Sequence, residues 1–128
     1  MKLETNRLLA RAKDDLADAE KIAAIGLTRI ATRSCYFAAF HAAEAYIFER
    51  SGRSVKTHSG LRAEFARLVK DLPGGEKALT AFLARAYKYK EISDYGIGAE
   101  VPPADAETRE LIEIAARFVG RIAALLAA

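Results

Sequence analysis

The stretch YFAAFHAAEAY, Tyr36 to Tyr46, holds four aromatic rings and five alanines. Alanine is the strongest helix former, and rings at Tyr36, Phe37 and Phe40 return at the three-to-four-residue step of a helix. The segment reads as a core helix. His41 and Glu44 nevertheless sit inside it, one helical turn apart. Either they are polar residues tolerated on a packing face, or they are a site built into a bundle.

The same period extends along the whole chain. A first helix is predicted from about Thr5 to Ile25, with Leu8, Leu9, Ala12, Leu16, Ala19 and Ala23 on one side and Gly26 as its stop. The core stretch belongs to a second helix, about Thr28 to Arg50, with Ile30, Tyr36, Phe37, Phe40, Ala43 and Ile47 apolar and Ser51-Gly52 closing it. A third runs from about Ser59 to Lys70 over Leu61, Phe65, Leu68 and Val69, and Leu72-Pro73-Gly74-Gly75 breaks the chain after it. A fourth, about Glu76 to Asp94, buries Leu79, Phe82, Leu83, Ala86, Tyr87 and Ile92 and ends at Gly96-Ile97-Gly98. Asp105 is placed to cap a fifth, which carries Leu111, Ile114, Ala115, Phe118, Ile122 and Leu125 to the C-terminus. No strand-like alternation is present. Short breaks between helices predict an all-α, up-and-down antiparallel bundle of four long helices and one short one, a single domain over residues 1–128. The apolar C-terminal run FVGRIAALLAA predicts a surface that a homodimer covers.

Composition narrows the class. The chain has 128 residues, of which 52% are hydrophobic, enough for one core without staples. A single cysteine, Cys35, excludes an internal disulfide and fits a reducing compartment. No apolar run approaches a membrane span, and the charged start MKLETNRLLARAKDD is unlike a secretory signal, so a cytoplasmic location is expected. Net charge is only +3, but Arg50 to Lys70 holds six basic residues against the single acid Glu64, and Glu100 to Glu113 holds five acids against Arg109. A basic middle suits an anionic partner; solvated helix faces give the same pattern.

Three polar groupings are candidates for chemistry. Along the second helix, Arg33, Phe37, His41 and Glu44 fall on one stripe, which could bind a phosphate or base or could be internally hydrogen-bonded. A metal site would need a second ligand pair, and none is present, so no metal or other cofactor is expected. In GRSVKTHSGLRAEF, Gly52 to Phe65, Arg53 precedes His58 by five positions beside a helix start. Imidazole moves protons and guanidinium holds a phosphate as charge develops, so Arg53, His58 and His41 are the candidates for RNA cleavage. The bland reading has Thr57 or Ser59 capping the helix. In RAYKYKEISDYG, Arg85 to Gly96, basic residues alternate with Tyr87, Tyr89 and Tyr95 as in single-strand binders, whereas Lys90 and Asp94 are also spaced for an ordinary ion pair.

The segments ATRSCYFAAFHAAEAYIFERSG, KTHSGLRAEF and YKEISDYG occur in the order and spacing that resembles the HEPN family (higher eukaryotes and prokaryotes nucleotide-binding domain), in its small stand-alone prokaryotic branch. Arg33, Tyr36, Phe40-His41-Ala42-Ala43, Thr57-His58, Gly60, Phe65 and Asp94-Tyr95-Gly96 carry the match. The resemblance implies a helical bundle, commonly dimeric. It also implies pairing with a minimal nucleotidyltransferase in toxin–antitoxin systems. Arg33, Tyr36, His41, Glu44, His58, Lys90, Asp94 and Tyr95 are the candidate nucleotide- or RNA-binding positions. Many members are metal-independent endoribonucleases with a late arginine followed after four to six residues by a histidine. This chain departs there: Lys90 stands where relatives often carry arginine, and KYKEISDYGIG has no histidine. Three readings therefore stand: a nucleotide-, RNA- or partner-binding bundle, an RNA-cleaving toxin, and a non-catalytic dimeric interaction module.

Overall fold

A computed structural model describes residues 1–73, 76–96 and 101–128. The described residues form five α-helices and no strand: α1 (Leu3–Ala24), α2 (Thr28–Ser51), α3 (His58–Val69), α4 (Glu76–Tyr95) and α5 (Asp105–Ala127). The expected boundaries hold to within two residues. Gly74, Gly75, Ile97 and Gly98, which the sequence marks as breaks, and the acid Glu100 lie outside the described residues.

The stretch from Tyr36 to Tyr46 lies in the middle of α2, and α2 touches every other helix. A helix surrounded in this way must be apolar around most of its girth. Its alanines make that possible: Ala31, Ala38, Ala39, Ala42, Ala43 and Ala45 are all buried, and their small side chains let neighbouring axes approach. Alanine buries little area itself, so the larger side chains supply the driving force. Tyr36, Ile47, Phe65, Leu83, Leu111, Phe118 and Ile122 are fully buried, each contributing about 1.5–3 kcal/mol relative to exposure. Phe118 of α5 packs on Phe65 of α3 and Phe82 of α4, tying three helices to one ring.

The end of α2 is closed by polar contacts with α1. The carboxylate of Glu49 accepts from the Lys2 backbone N–H at 2.9 Å and from the Thr5 hydroxyl at 2.8 Å. This satisfies Thr5, which is fully buried, and one orphan amide at the start of α1. In return Lys2 Nζ donates to the carbonyls of Phe48 and Glu49, where the negative end of the α2 dipole lies. Gly52 ends the helix at φ 71°, the left-handed region that other residues enter at a cost.

Three expectations need correction. Ile30 is 47% exposed: it sits in the first turn of α2 and lines a shallow recess with Leu27, Ser93 and Pro102 instead of entering the core. Asp105 does not cap α5. Ala104 occupies the cap position without a side-chain bond, and Asp105 lies in the first turn, where its charge meets the positive end of the helix dipole. The C-terminal run is mostly covered within the chain: Phe118, Val119, Ile122 and Leu126 are buried against the core and Leu125 is partly so.

Candidate functional site

His58 begins α3 because Thr57, in extended conformation, caps that helix; its Oγ1 accepts from the Gly60 N–H at 3.0 Å. The imidazole is thereby held over the middle of α2. Nδ1 of His58 lies 2.6 Å from the hydroxyl of Tyr36. The ring also touches Phe37, Phe40 and, across on α4, Tyr87. One turn after His58 on the same face of α3, the Arg62 guanidinium stacks 4.2 Å from the centre of the Tyr87 ring. Nη1 of Arg62 is buried and, among the described residues, has no hydrogen-bond partner.

The last turns of α4 complete the group. Asp94 bridges two cations: it accepts from Arg33 Nε at 2.6 Å and from Lys90 Nζ at 2.9 Å. The Arg33 guanidinium lies over Phe37, 4.7 Å from the ring centre. Lys90 is only 8% exposed, and its ammonium sits between the rings of Tyr87 and Tyr95. Tyr87 also hydrogen-bonds Glu91 one turn on, and Tyr89 hydrogen-bonds Glu107 of α5. Arg33, Arg62 and Lys90 thus oppose Glu91 and Asp94, three cations against two carboxylates around one aromatic floor.

The electrostatics follow from this packing. Burial pushes the Tyr36 phenol far above its ordinary value, so it stays protonated. Burial also lowers the His58 pKa, and the positive charges of Lys90 and Arg62 lower it further against the pull of Glu91 and Asp94. His58 is therefore a neutral imidazole at pH 7. Burial of Asp94 opposes its ionisation, but hydrogen bonds from Lys90 and Arg33 prevail and hold it below the usual carboxylate range. The hydrogen bond to Asp94 raises the Lys90 pKa in turn.

The residues singled out from sequence divide into three places. Arg33, Tyr36, His58, Lys90 and Asp94 converge, and Tyr95, 68% exposed, stands at their edge. His41 and Glu44 share a stripe with Arg33 on α2 but face another neighbour. His41 Nδ1 bonds Glu44 at 2.7 Å, and Nε2 lies 3.5 Å from Asp15 of α1. His41 is buried, so this pairing ties α1 to α2. Burial raises the pKa of Asp15, with His41 pulling the other way. Arg53 is in a third place. It lines a small cavity with Ile47, Ser51, Val55, Gly60 and Glu64, and its charge acts on Glu64; the groups acting on His58 are Lys90, Arg62, Glu91 and Asp94 instead. Among the described residues no hydrogen bond joins Arg53 to His58.

A family model for the HEPN domain matches residues 5–125. The chain belongs to the HEPN family. A search among curated proteins found no match. HEPN domains bind nucleotides or RNA or act as ribonucleases, and they commonly dimerise. The converging cluster occupies the face of this HEPN bundle where α2, α3 and α4 meet. Arg62, Tyr87 and Glu91 belong to it although the sequence did not single them out as a group. The signal was present: Arg62 follows His58 by four residues, and Glu91 follows Tyr87 by four, so each pair shares a helix face. A larger cavity of about 480 Å³ opens between α4 and α5, lined by Leu79, Phe82, Ile114 and Phe118 with three arginines, and none of the cluster residues lines it. Among the described residues no helix is long and apolar enough to cross a membrane, and no group of ligating side chains is arranged to hold a metal ion.

Proposed function

We propose that this HEPN protein is the nucleotide- or RNA-binding component of a two-protein system of toxin–antitoxin type, acting with a minimal nucleotidyltransferase. In this reading it works in the cytoplasm as a homodimer. The up-and-down antiparallel bundle expected from sequence is supported by three contacts between opposite helix ends or matched middles: Thr5 with Glu49, Asp15 with His41, and Arg33 with Asp94. The observation that carries the reading is the gathering of Arg33, Arg62, Lys90 and His58 around the Tyr36–Tyr87 floor. Cations meet phosphate oxygens, and the exposed ring of Tyr95 gives a base a surface on which to stack.

The arrangement favours binding over cleavage. A general base must be able to take a proton, and His58 is packed among cations that disfavour its charged form. His41 hydrogen-bonds Glu44 and lies 3.5 Å from Asp15, and among the described residues no hydrogen bond joins Arg53 to either histidine.

The test is fluorescence anisotropy with a short single-stranded RNA over a salt series. With a site surplus of one positive charge, affinity should fall with a log–log slope of about −0.7, the single-strand value per phosphate neutralised. Arg62→Ala and Tyr95→Ala should each weaken binding, Tyr95→Ala by about 1–3 kcal/mol if a base stacks there. Absence of binding at low salt by the wild type refutes the proposal. Metal-independent cleavage abolished by His58→Ala would establish the ribonuclease reading in its place.

A further inference from the structure

We infer that Tyr36 is a positioning residue that fixes His58 as the neutral tautomer protonated on Nε2, so that the site presents a hydrogen-bond donor to an acceptor oxygen of its ligand. The inference rests on the nucleotide-site reading for the ligand and on geometry alone for the tautomer. The Tyr36 oxygen and His58 Nδ1 are 2.6 Å apart, a full hydrogen bond that either partner could donate. What surrounds the phenol decides the direction. Tyr36 is fully buried, and among the described residues His58 Nδ1 is the hydrogen-bond partner of its hydroxyl. A buried hydroxyl must place its hydrogen on an acceptor, and His58 Nδ1 is the acceptor within reach. Nδ1 is thereby unprotonated, and the ring's proton is on Nε2. Among the described residues no protein acceptor meets Nε2, so that N–H is left for a ligand. The other charged groups facing the ring are Arg62 from α3 and Lys90, Glu91 and Asp94 from α4. With two of these cationic neighbours close by, the ligand atom the site fits is a phosphoryl oxygen, carried either by a mononucleotide or by an RNA backbone.

Nitrogen-15 NMR of histidine-labelled protein reads the tautomer directly and needs no ligand. His58 should show a protonated Nε2 and an unprotonated Nδ1. Tyr36→Phe keeps the ring and the packing but removes the donor. It should mix the two tautomers and raise the His58 pKa by about half to one unit, the shift equivalent to one neutral hydrogen bond of about 1 kcal/mol. AMP and a short RNA, titrated separately, identify the source of the phosphate. Whichever binds should bind about three- to tenfold more weakly to Tyr36→Phe. In His58→Gln the side-chain amide restores a donor near Nε2, so binding should survive better than in His58→Ala, and adding Tyr36→Phe should cost nothing more. A wild-type tautomer protonated on Nδ1, or a tautomer and pKa unmoved by Tyr36→Phe, overturns the inference about Tyr36. Failure of both probes to bind overturns the assignment of a phosphoryl ligand, whatever the tautomer proves to be.

Discussion

Replacing Asp94 by Asn removes one charge and leaves the shape of the side chain nearly unchanged. In the wild type the two carboxylate oxygens hold Arg33 at 2.6 Å and Lys90 at 2.9 Å. The amide of Asn has one acceptor oxygen, so its NH2 group faces whichever cation the oxygen does not meet. Arg33 is half exposed and can turn to water, and its share is discounted accordingly. Lys90 cannot: only 8% of it is exposed, and aromatic rings flank its ammonium. A hydrogen bond to a charged group contributes about 1.5–3 kcal/mol, so a loss of about 2 kcal/mol is expected, almost all through Lys90. In urea, with a slope of about 2 kcal/mol per molar for a chain of this size, the unfolding midpoint should fall by about 1 M. Lys90→Met removes the buried cation and fills the same channel with an apolar chain. In that background Asp94→Asn should cost much less, and the difference is the coupling of the pair. The pH dependence has a fixed sign. The folded pKa of Asp94 lies below its unfolded value of 3.8, so its contribution is complete above that value and disappears as pH falls through the folded pKa. Asp94→Asn should flatten that part of the acid limb. A mutant that unfolds at the wild-type midpoint would refute the reasoning, because the buried ammonium would then have another partner.

Two other outcomes follow from local geometry. A Cβ on Gly60 would stand 2.5 Å from Thr57 Oγ1 and 3.1 Å from a methyl of Val55. Gly60→Ala must therefore displace the α3 cap, worth about 1 kcal/mol, which cancels a helix-propensity gain of about 0.8–1 kcal/mol. In a Thr57→Ala background the clash with Oγ1 is gone and the same substitution should stabilise; additive effects in thermal melts would contradict the cap geometry. Cys35 is fully buried, and burial raises its thiol to about 12. At pH 8 only ~1 thiol in 10,000 is then thiolate, so alkylation of the native protein should proceed at the rate of unfolding; rapid labelling under native conditions would show the α2 core to be open.

The helices were legible in the sequence because their signals are local. Period, alanine content and the stops at Gly26 and Gly52 act over a few residues, and no distant contact is needed to read them. Thr57 as the α3 cap and Lys90–Asp94 as an ion pair were within reach for the same reason: each partner is three or four residues from the other. The motif order of the HEPN family is also a property of the chain alone. Tertiary structure decided which polar residues meet. Arg33 and His41 lie two turns apart on one stripe of α2, but Arg33 reaches Asp94 on α4 and His41 reaches Asp15 on α1. A stripe along a helix fixes only a direction, and what stands in that direction changes from one turn to the next as neighbouring helices cross at an angle. The meeting of Tyr36 with His58, and of Arg62 with Tyr87, depends on α3 and α4 folding back over α2, and that is set by how the buried rings fill the space between alanine-lined axes.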